Sequence, residues 1–432
     1  MGRRRWGVTF ALFLCASGCG GRLGPVPPPD GGPLPADGGR DRDAGVVYMG
    51  QNLIANPGVE EAAEGGRGPA GWQTDSWGSL SASFFWTTDD AHEGRRALRT
   101  VVEGYGDGDA KWLFARVPLS GGRWYEYSDH HRSDGRSRLI WSCAEPDGGV
   151  LHRSGWQSHA ATDWTREAFR FYIPPGDGCL GGVLHIVDRN GWLETDSHAL
   201  VAMEGRPLAR PLASIAFDDL WATALSVGAQ ELNARRMRGT FYVTRAFAEA
   251  PGGRYASVLE LRQILVMGRG HEFGAHGATH RPLTTLLDSA LRQDLEEAHS
   301  FLRSIGATAD GLAYPLGDFD DRVERSVQGV YRYARTSLFG LNDADTNPWR
   351  VRVIPVTTET SARFLIDRIE DAVRTSTWIV LLFHDLGTPV AGNPYRTSVD
   401  DFRAVLDRLA TGDLGVVTVY EALREIGVLG GG

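Results

Sequence analysis

A chain of 432 residues exceeds one ordinary domain, and two is the natural expectation. Hydrophobic residues at 42% and charged residues at 23% exclude a disordered protein. A net charge of −9, with no basic run beyond the first residues, argues against a nucleic-acid partner.

Residues 1–19 read as a targeting segment. Arg3, Arg4 and Arg5 precede an apolar stretch, Trp6 to Ala16, too short to span a bilayer. Ala16-Ser17-Gly18-Cys19 resembles a bacterial lipobox, with Cys19 as the lipidated residue. That resemblance implies an exported protein, membrane-attached through an N-terminal lipid anchor in the cell envelope, at the outer membrane or in the periplasm of a Gram-negative bacterium. Residues 20–47, rich in Gly, Pro and Asp, form a linker without apolar periodicity.

Residues 48–205 read as all-β. Runs such as Ala97-Leu98-Arg99-Thr100-Val101-Val102 and Phe169-Arg170-Phe171-Tyr172-Ile173 are separated by Gly, Asp and Pro turns, which suggests a sandwich. Cys143 and Cys179 are the cysteines of the folded part, and in an exported chain such a pair forms a structural disulfide. Asn52-Leu53-Ile54-Ala55-Asn56-Pro57-Gly58-Val59-Glu60 followed by Gly71-Trp72 resembles the opening of jelly-roll carbohydrate-binding modules. Nine of the thirteen tryptophans lie between Trp72 and Trp192; each is a core residue or a flat platform for a sugar ring. Asp107-Gly108-Asp109 reads as a turn rather than a calcium loop.

From residue 206 to 432 strands and helices alternate, as in a parallel sheet or a (β/α) barrel. Strands are predicted at 214–217, 239–243, 271–275, 312–314, 351–356, 378–383 and 415–418. Helices are predicted at 220–236, 257–268, 284–304, 361–374 and 399–411. Four segments at predicted strand ends carry the chemistry: Ala216-Phe217-Asp218-Asp219, His276-Gly277-Ala278-Thr279-His280, Tyr314-Pro315-Leu316-Gly317 and Leu381-Leu382-Phe383-His384-Asp385. Asp218-Asp219 alone suits a helix cap, His276 and His280 a helical turn, and His384 a core position. Together they supply two carboxylates and three imidazoles, the kit of metal-assisted hydrolysis. His271-Glu272 does not open a zinc-protease helix, because Ala275 stands where a second histidine is needed.

The order and spacing of these segments resemble the NodB-homology polysaccharide deacetylases, carbohydrate esterase family 4. The resemblance implies a distorted (β/α) barrel with fewer units than the eight-fold form, its site at the carboxyl ends of strands. It assigns Asp219, His276 and His280 as ligands of a divalent metal; the ligand set itself suits zinc foremost, with cobalt or nickel as alternatives. Asp218 becomes the general base and His384 the general acid, while Tyr314 and Pro315 form the turn whose backbone N–H stabilises the oxyanion. The implied reaction is hydrolysis of N-acetyl groups in an acetylated polysaccharide. A glycan-binding chain without activity, or a de-O-acetylase, is the alternative. Many members carry Arg two residues before the Pro of the third segment, where it steadies the base; here that residue is Ala313. Arg352 is the expected substitute, better placed than Arg350.

Overall fold

The structure, a computed structural model, describes residues 48–429 apart from 89, 145–149, 159 and 268, and only the backbone of 152–156. Cys19 and the linker 20–47 lie outside the described residues.

Eleven strands form two antiparallel sheets. They are β1 (Trp72–Trp77), β2 (Ser81–Thr87), β3 (Ala97–Glu103), β4 (Asp109–Phe114), β5 (Val117–Leu119), β6 (Arg123–Ser133), β7 (Ser137–Ala144), β8 (Val150–Ser158), β9 (Ala161–Ile173), β10 (Cys179–Val187) and β11 (Gly191–Met203). One sheet runs β1-β4-β10-β7-β8, with β5 on β10; the other runs β2-β3-β11-β6-β9. Alternate residues of β6 and β9, Tyr125, Tyr127, Phe169, Phe171 and Ile173, meet Phe114, Leu139, Trp141 and Val183 of the facing sheet. This period-two burial makes a sandwich. Cys143 and Cys179 are bonded across neighbouring strands β7 and β10, as the composition led one to expect. The Asp107–Asp109 segment is a turn: Asp107 accepts from the Ser79 N–H, and Asp109 accepts from Trp77 and pairs with Lys111.

The remainder is a barrel. Strands β12 (Leu212–Phe217), β13 (Thr240–Val243), β14 (Glu272–Ala275), β15 (Gly311–Ala313), β16 (Tyr333–Phe339), β17 (Val351–Pro355) and β18 (Trp378–Phe383) are all parallel, and β12 pairs with both β13 and β18. The seven strands therefore close. After β18 come the short strands β19 (Asp385–Leu386) and β20 (Arg396–Thr397), paired with each other, and β21 (Gly415–Val416), which adds to β12. Helices cover the outside: α1 (Gln230–Ala234), α2 (Arg245–Glu249), α3 (Val258–Val266), α4 (Asp288–Ser304), α5 (Asp321–Gln328), α6 (Ala362–Thr375), α7 (Val399–Leu409) and α8 (Val419–Glu425).

Strands buried on both faces are apolar runs, as β18 is throughout and β12 is apart from Ser214. Ile215 and Phe217 pack outward against helices, while Leu212 and Ala216 face the interior with Tyr242, Tyr333 and Trp378. The Trp378 indole N–H donates to Ser214 there, 2.9 Å away.

Helices α2, α5 and α8 were not predicted, and the structure departs from the predicted elements in three further places. Residues 220–236 are not one helix: Asp219 and Leu220 take φ of 66° and 60°, and a π-helical segment at 224–229 leads into α1. Residues 276–280 form a tight loop, with Gly277 and His280 at positive φ, instead of a helical turn. Strand β16 was not predicted, because Arg335, Thr336 and Ser337 interrupt its apolar pattern.

Sandwich and barrel lie within one compact unit, Gly45–Gly432. Arg136 pairs with Asp318 just beyond the third segment, and Arg170 donates to Asp345. Phe339 of β16 packs against the sandwich core.

Candidate active site

All four segments follow the carboxyl ends of barrel strands: Asp218 and Asp219 after β12, His276 after β14, Tyr314 after β15 and His384 after β18. Successive strand residues point to opposite faces, so two adjacent carboxylates share a site only if the chain turns between them. The left-handed backbone of Asp219 makes that turn, a conformation costing a non-glycine residue roughly 1–3 kcal/mol.

One Asp219 oxygen, Oδ1, lies 3.5 Å from His276 Nε2 and 3.0 Å from His280 Nε2. One atom from each of these three residues falls within 4.8 Å of the others. His276 Nδ1 is 2.9 Å from the Ala313 carbonyl, an acceptor only, so Nδ1 carries the proton and Nε2 presents a lone pair towards the carboxylate. Asp219 Oδ1 is buried without a hydrogen-bond partner among the described residues. The His276 lone pair facing a carboxylate oxygen, with a second imidazole nitrogen beside it, is what a divalent cation fits. The residues present therefore suit a metal of the zinc class.

The loop bearing both imidazoles is held from behind. Asp294 of α4, 5% exposed, accepts from the N–H groups of Ala278 and Thr279 and from the Thr279 hydroxyl at 2.9, 3.1 and 2.6 Å. Gly277 is required there, since its φ is 73° and a Cβ would come within 3.0 Å of Asp294.

Asp218 is 4% exposed, and its Oδ1 is paired with Arg335 of β16, itself 1% exposed. Arg335 also donates to the Thr336 carbonyl at 3.0 Å and lies over the Tyr242 ring, 4.9 Å from its centroid. Burial pushes the Asp218 carboxyl up; Arg335, then His276 and His384, pull it down further, and it ends below the usual carboxylate range. Burial likewise raises Asp219, but the three histidines outweigh it and hold the group low. The His384 ring is pushed down by burial, against the pull of Asp218 and Asp219.

Two predicted roles are corrected. Arg352 does not support the base: its guanidinium donates to the Arg170 carbonyl at 2.8 Å and lies over Phe169, joining barrel to sandwich. Arg335 supplies the charge instead, from the strand whose polar centre hid it. The Tyr314 N–H is not free for an oxyanion, because it donates to the Arg335 carbonyl at 3.0 Å in the sheet. Pro315 has no N–H. The next amide, that of Leu316, makes no hydrogen bond among the described residues, and Leu316 has φ of 59° and is 62% exposed.

The tryptophans of the sandwich divide. Trp124 and Trp141 are buried. Arg96, Arg99 and Arg132 lie over the rings of Trp86, Trp192 and Trp164. Trp77 stands open, 58% exposed.

A closed barrel of seven parallel strands, with an Asp-Asp pair and three imidazoles at its carboxyl mouth, is a NodB-like fold. Residues 205–332, which include the first four barrel strands, match the family model described as polysaccharide deacetylase. No curated protein matches the chain. Among solved structures it is similar to the carbohydrate esterase 4 domain of a multidomain xylanase from the hindgut metagenome of Trinervitermes trinervoides (18% identity, 50% of this chain and 92% of that one, TM-score 0.37). It is also similar to the peptidoglycan N-acetylglucosamine deacetylase Bc1960 in complex with a hydroxamate-type benzamide (17%, 50% and 90%, 0.36). A third is a family 4 acetyl xylan esterase from Clostridium thermocellum in complex with a cobalt ion (17%, 49% and 90%, 0.34).

Proposed function

We propose that this protein is a metal-dependent deacetylase that hydrolyses N-acetyl groups on the sugars of an acetylated polysaccharide. The observation that carries the reading is the division of labour between the two aspartates. Asp219 turns towards Nε2 of His276 and of His280, whereas Asp218 is reserved by a buried arginine.

Asp219, His276 and His280 would hold the ion, with zinc the best match and cobalt or nickel able to replace it. When bound, it supplies Lewis acidity to the acetyl oxygen and to water. Asp218, kept ionised by Arg335, takes the proton of the attacking water. The Leu316 N–H donates to the oxygen that becomes negative as the carbonyl turns tetrahedral. His384 gives a proton to the departing amine, which without it is too poor a leaving group. The basic start of the chain and Cys19 support the further proposal that the protein is exported and lipid-anchored in the cell envelope.

Acetate release from chitooligosaccharides, poly-N-acetylglucosamine and peptidoglycan fragments tests the reading, with the zinc-loaded protein and its Asp218→Asn variant. Release by the parent and a loss of at least about a hundredfold in the variant are expected. Equal rates for parent and variant would sink it.

A further inference from the structure

His384 lacks the polar support that a proton-transferring histidine ordinarily has. Its Nδ1 is buried without a hydrogen-bond partner among the described residues. Tyr395 lies against the ring: the two centroids are 4.7 Å apart and the planes are inclined by 32°. Tyr395 is 46% exposed, so one side of its ring covers His384 and the other faces solvent.

The loop that brings Tyr395 back is fastened to the residue after His384. Asp385 is fully buried. Its Oδ2 accepts from Asn393 Nδ2 at 2.8 Å and from Arg396 Nε at 2.5 Å, and its Oδ1 from the Thr223 hydroxyl at 2.6 Å. The Asp385 N–H donates to the Tyr395 carbonyl at 3.3 Å, and the Tyr395 N–H to Asn393 Oδ1 at 3.1 Å. A buried carboxylate with three donors and a strand pairing to Arg396 leaves the loop one arrangement.

We infer that Tyr395, clamped through Asp385, positions the ring of His384 for proton delivery to the leaving group. The inference rests on His384 being the general acid of the proposed reaction, and it assigns to an aromatic face the orienting task that a carboxylate would otherwise perform. A mispositioned acid harms only reactions whose leaving group needs a proton. Substrates of different leaving-group basicity therefore separate this role from a structural one.

The test compares chitotetraose, which loses an amine, with 4-nitrophenyl acetate, which loses a stable phenolate, using the full-length zinc-loaded protein. Tyr395→Ala is expected to lower kcat on chitotetraose about tenfold or more and to leave 4-nitrophenyl acetate hydrolysis within about twofold, with Tyr395→Phe restoring the parent values. Equal losses on both substrates, no loss on either, or failure of Phe to rescue would overturn the inference. A parent that cleaves only the ester would contradict the N-deacetylase reading. In that case carbethoxylation of His384 by diethyl pyrocarbonate, mapped by mass spectrometry, still decides the contact. Faster modification in Tyr395→Ala but not in Tyr395→Phe supports the covering of His384, and identical rates in all three proteins overturn it.

Discussion

Arg335 and Arg352 are both largely enclosed cations on neighbouring barrel strands, yet they do unlike things. Arg335 faces the interior and neutralises Asp218; Arg352 faces outward to the sandwich, where burial pushes its guanidinium down to about 10. Removing one partner of a buried ion pair strands the other, at a cost of about 3–5 kcal/mol. Arg335→Met is therefore expected to destabilise the protein by an amount of that order and to alter its pH dependence. In the parent the Asp218 carboxyl is depressed, so its contribution to stability is present above the unfolded value of 3.8 and is lost as pH falls through the lower folded one. Without Arg335 the upward push of burial is less opposed. The acid limb of kcat/KM should then move to higher pH, while Arg352→Ala lowers the melting temperature and leaves that limb in place. A pH-rate profile of the three proteins checks this; coincident limbs would remove Arg335 from its role.

Much of the site was legible at this scale because its residues terminate strands whose apolar runs are plain. Asp218, Asp219, His276, His280 and His384 each follow such a run. Arg335 was not, since a charged residue in mid-strand breaks the very pattern by which strands are read, and only closure of the barrel shows that its face is interior. The engagement of the Tyr314 amide escaped for a related reason: whether it is free depends on the partner strand β16, which had not been recognised.

Among the elements, short turns do the positioning that regular structure cannot. Gly317, in the third segment, has φ of 68°, and a Cβ there would come within 1.9 Å of the Ser337 hydroxyl on β16. Gly317→Ala is expected to cost roughly 1–3 kcal/mol and to lower activity by displacing the Leu316 amide. Chemical denaturation together with acetate release measures both, and an unchanged midpoint would show that the turn relaxes freely. The disulfide is a different kind of constraint. It closes a loop of 36 residues across β7 and β10, so Cys143→Ala/Cys179→Ala should reduce stability by about 3–4 kcal/mol without touching the barrel chemistry. A denaturation midpoint equal to that of the parent would contradict this.

At the level of the whole molecule, the alternation of short β-runs and then β/α units announced two layers of architecture, and both are present. The intimacy of their contact was not announced. It depends on side chains such as Phe339, Arg136, Arg170 and Arg352, each of which reads as an ordinary surface or core residue in isolation. With such an interface, sandwich and barrel should unfold in one cooperative transition. Scanning calorimetry showing two separable transitions would argue for loosely joined domains.

The central claim is that Asp219, His276 and His280 hold a divalent ion on which deacetylation depends. The most direct measurement is acetate release from chitotetraose by the full-length protein before chelation, after chelation, and after zinc is restored, with His280→Ala in parallel. The account predicts loss of at least about a hundredfold on chelation, recovery with zinc for the parent, and no recovery for His280→Ala at the same metal concentration. Full activity after complete chelation, or parental recovery by His280→Ala, would contradict it.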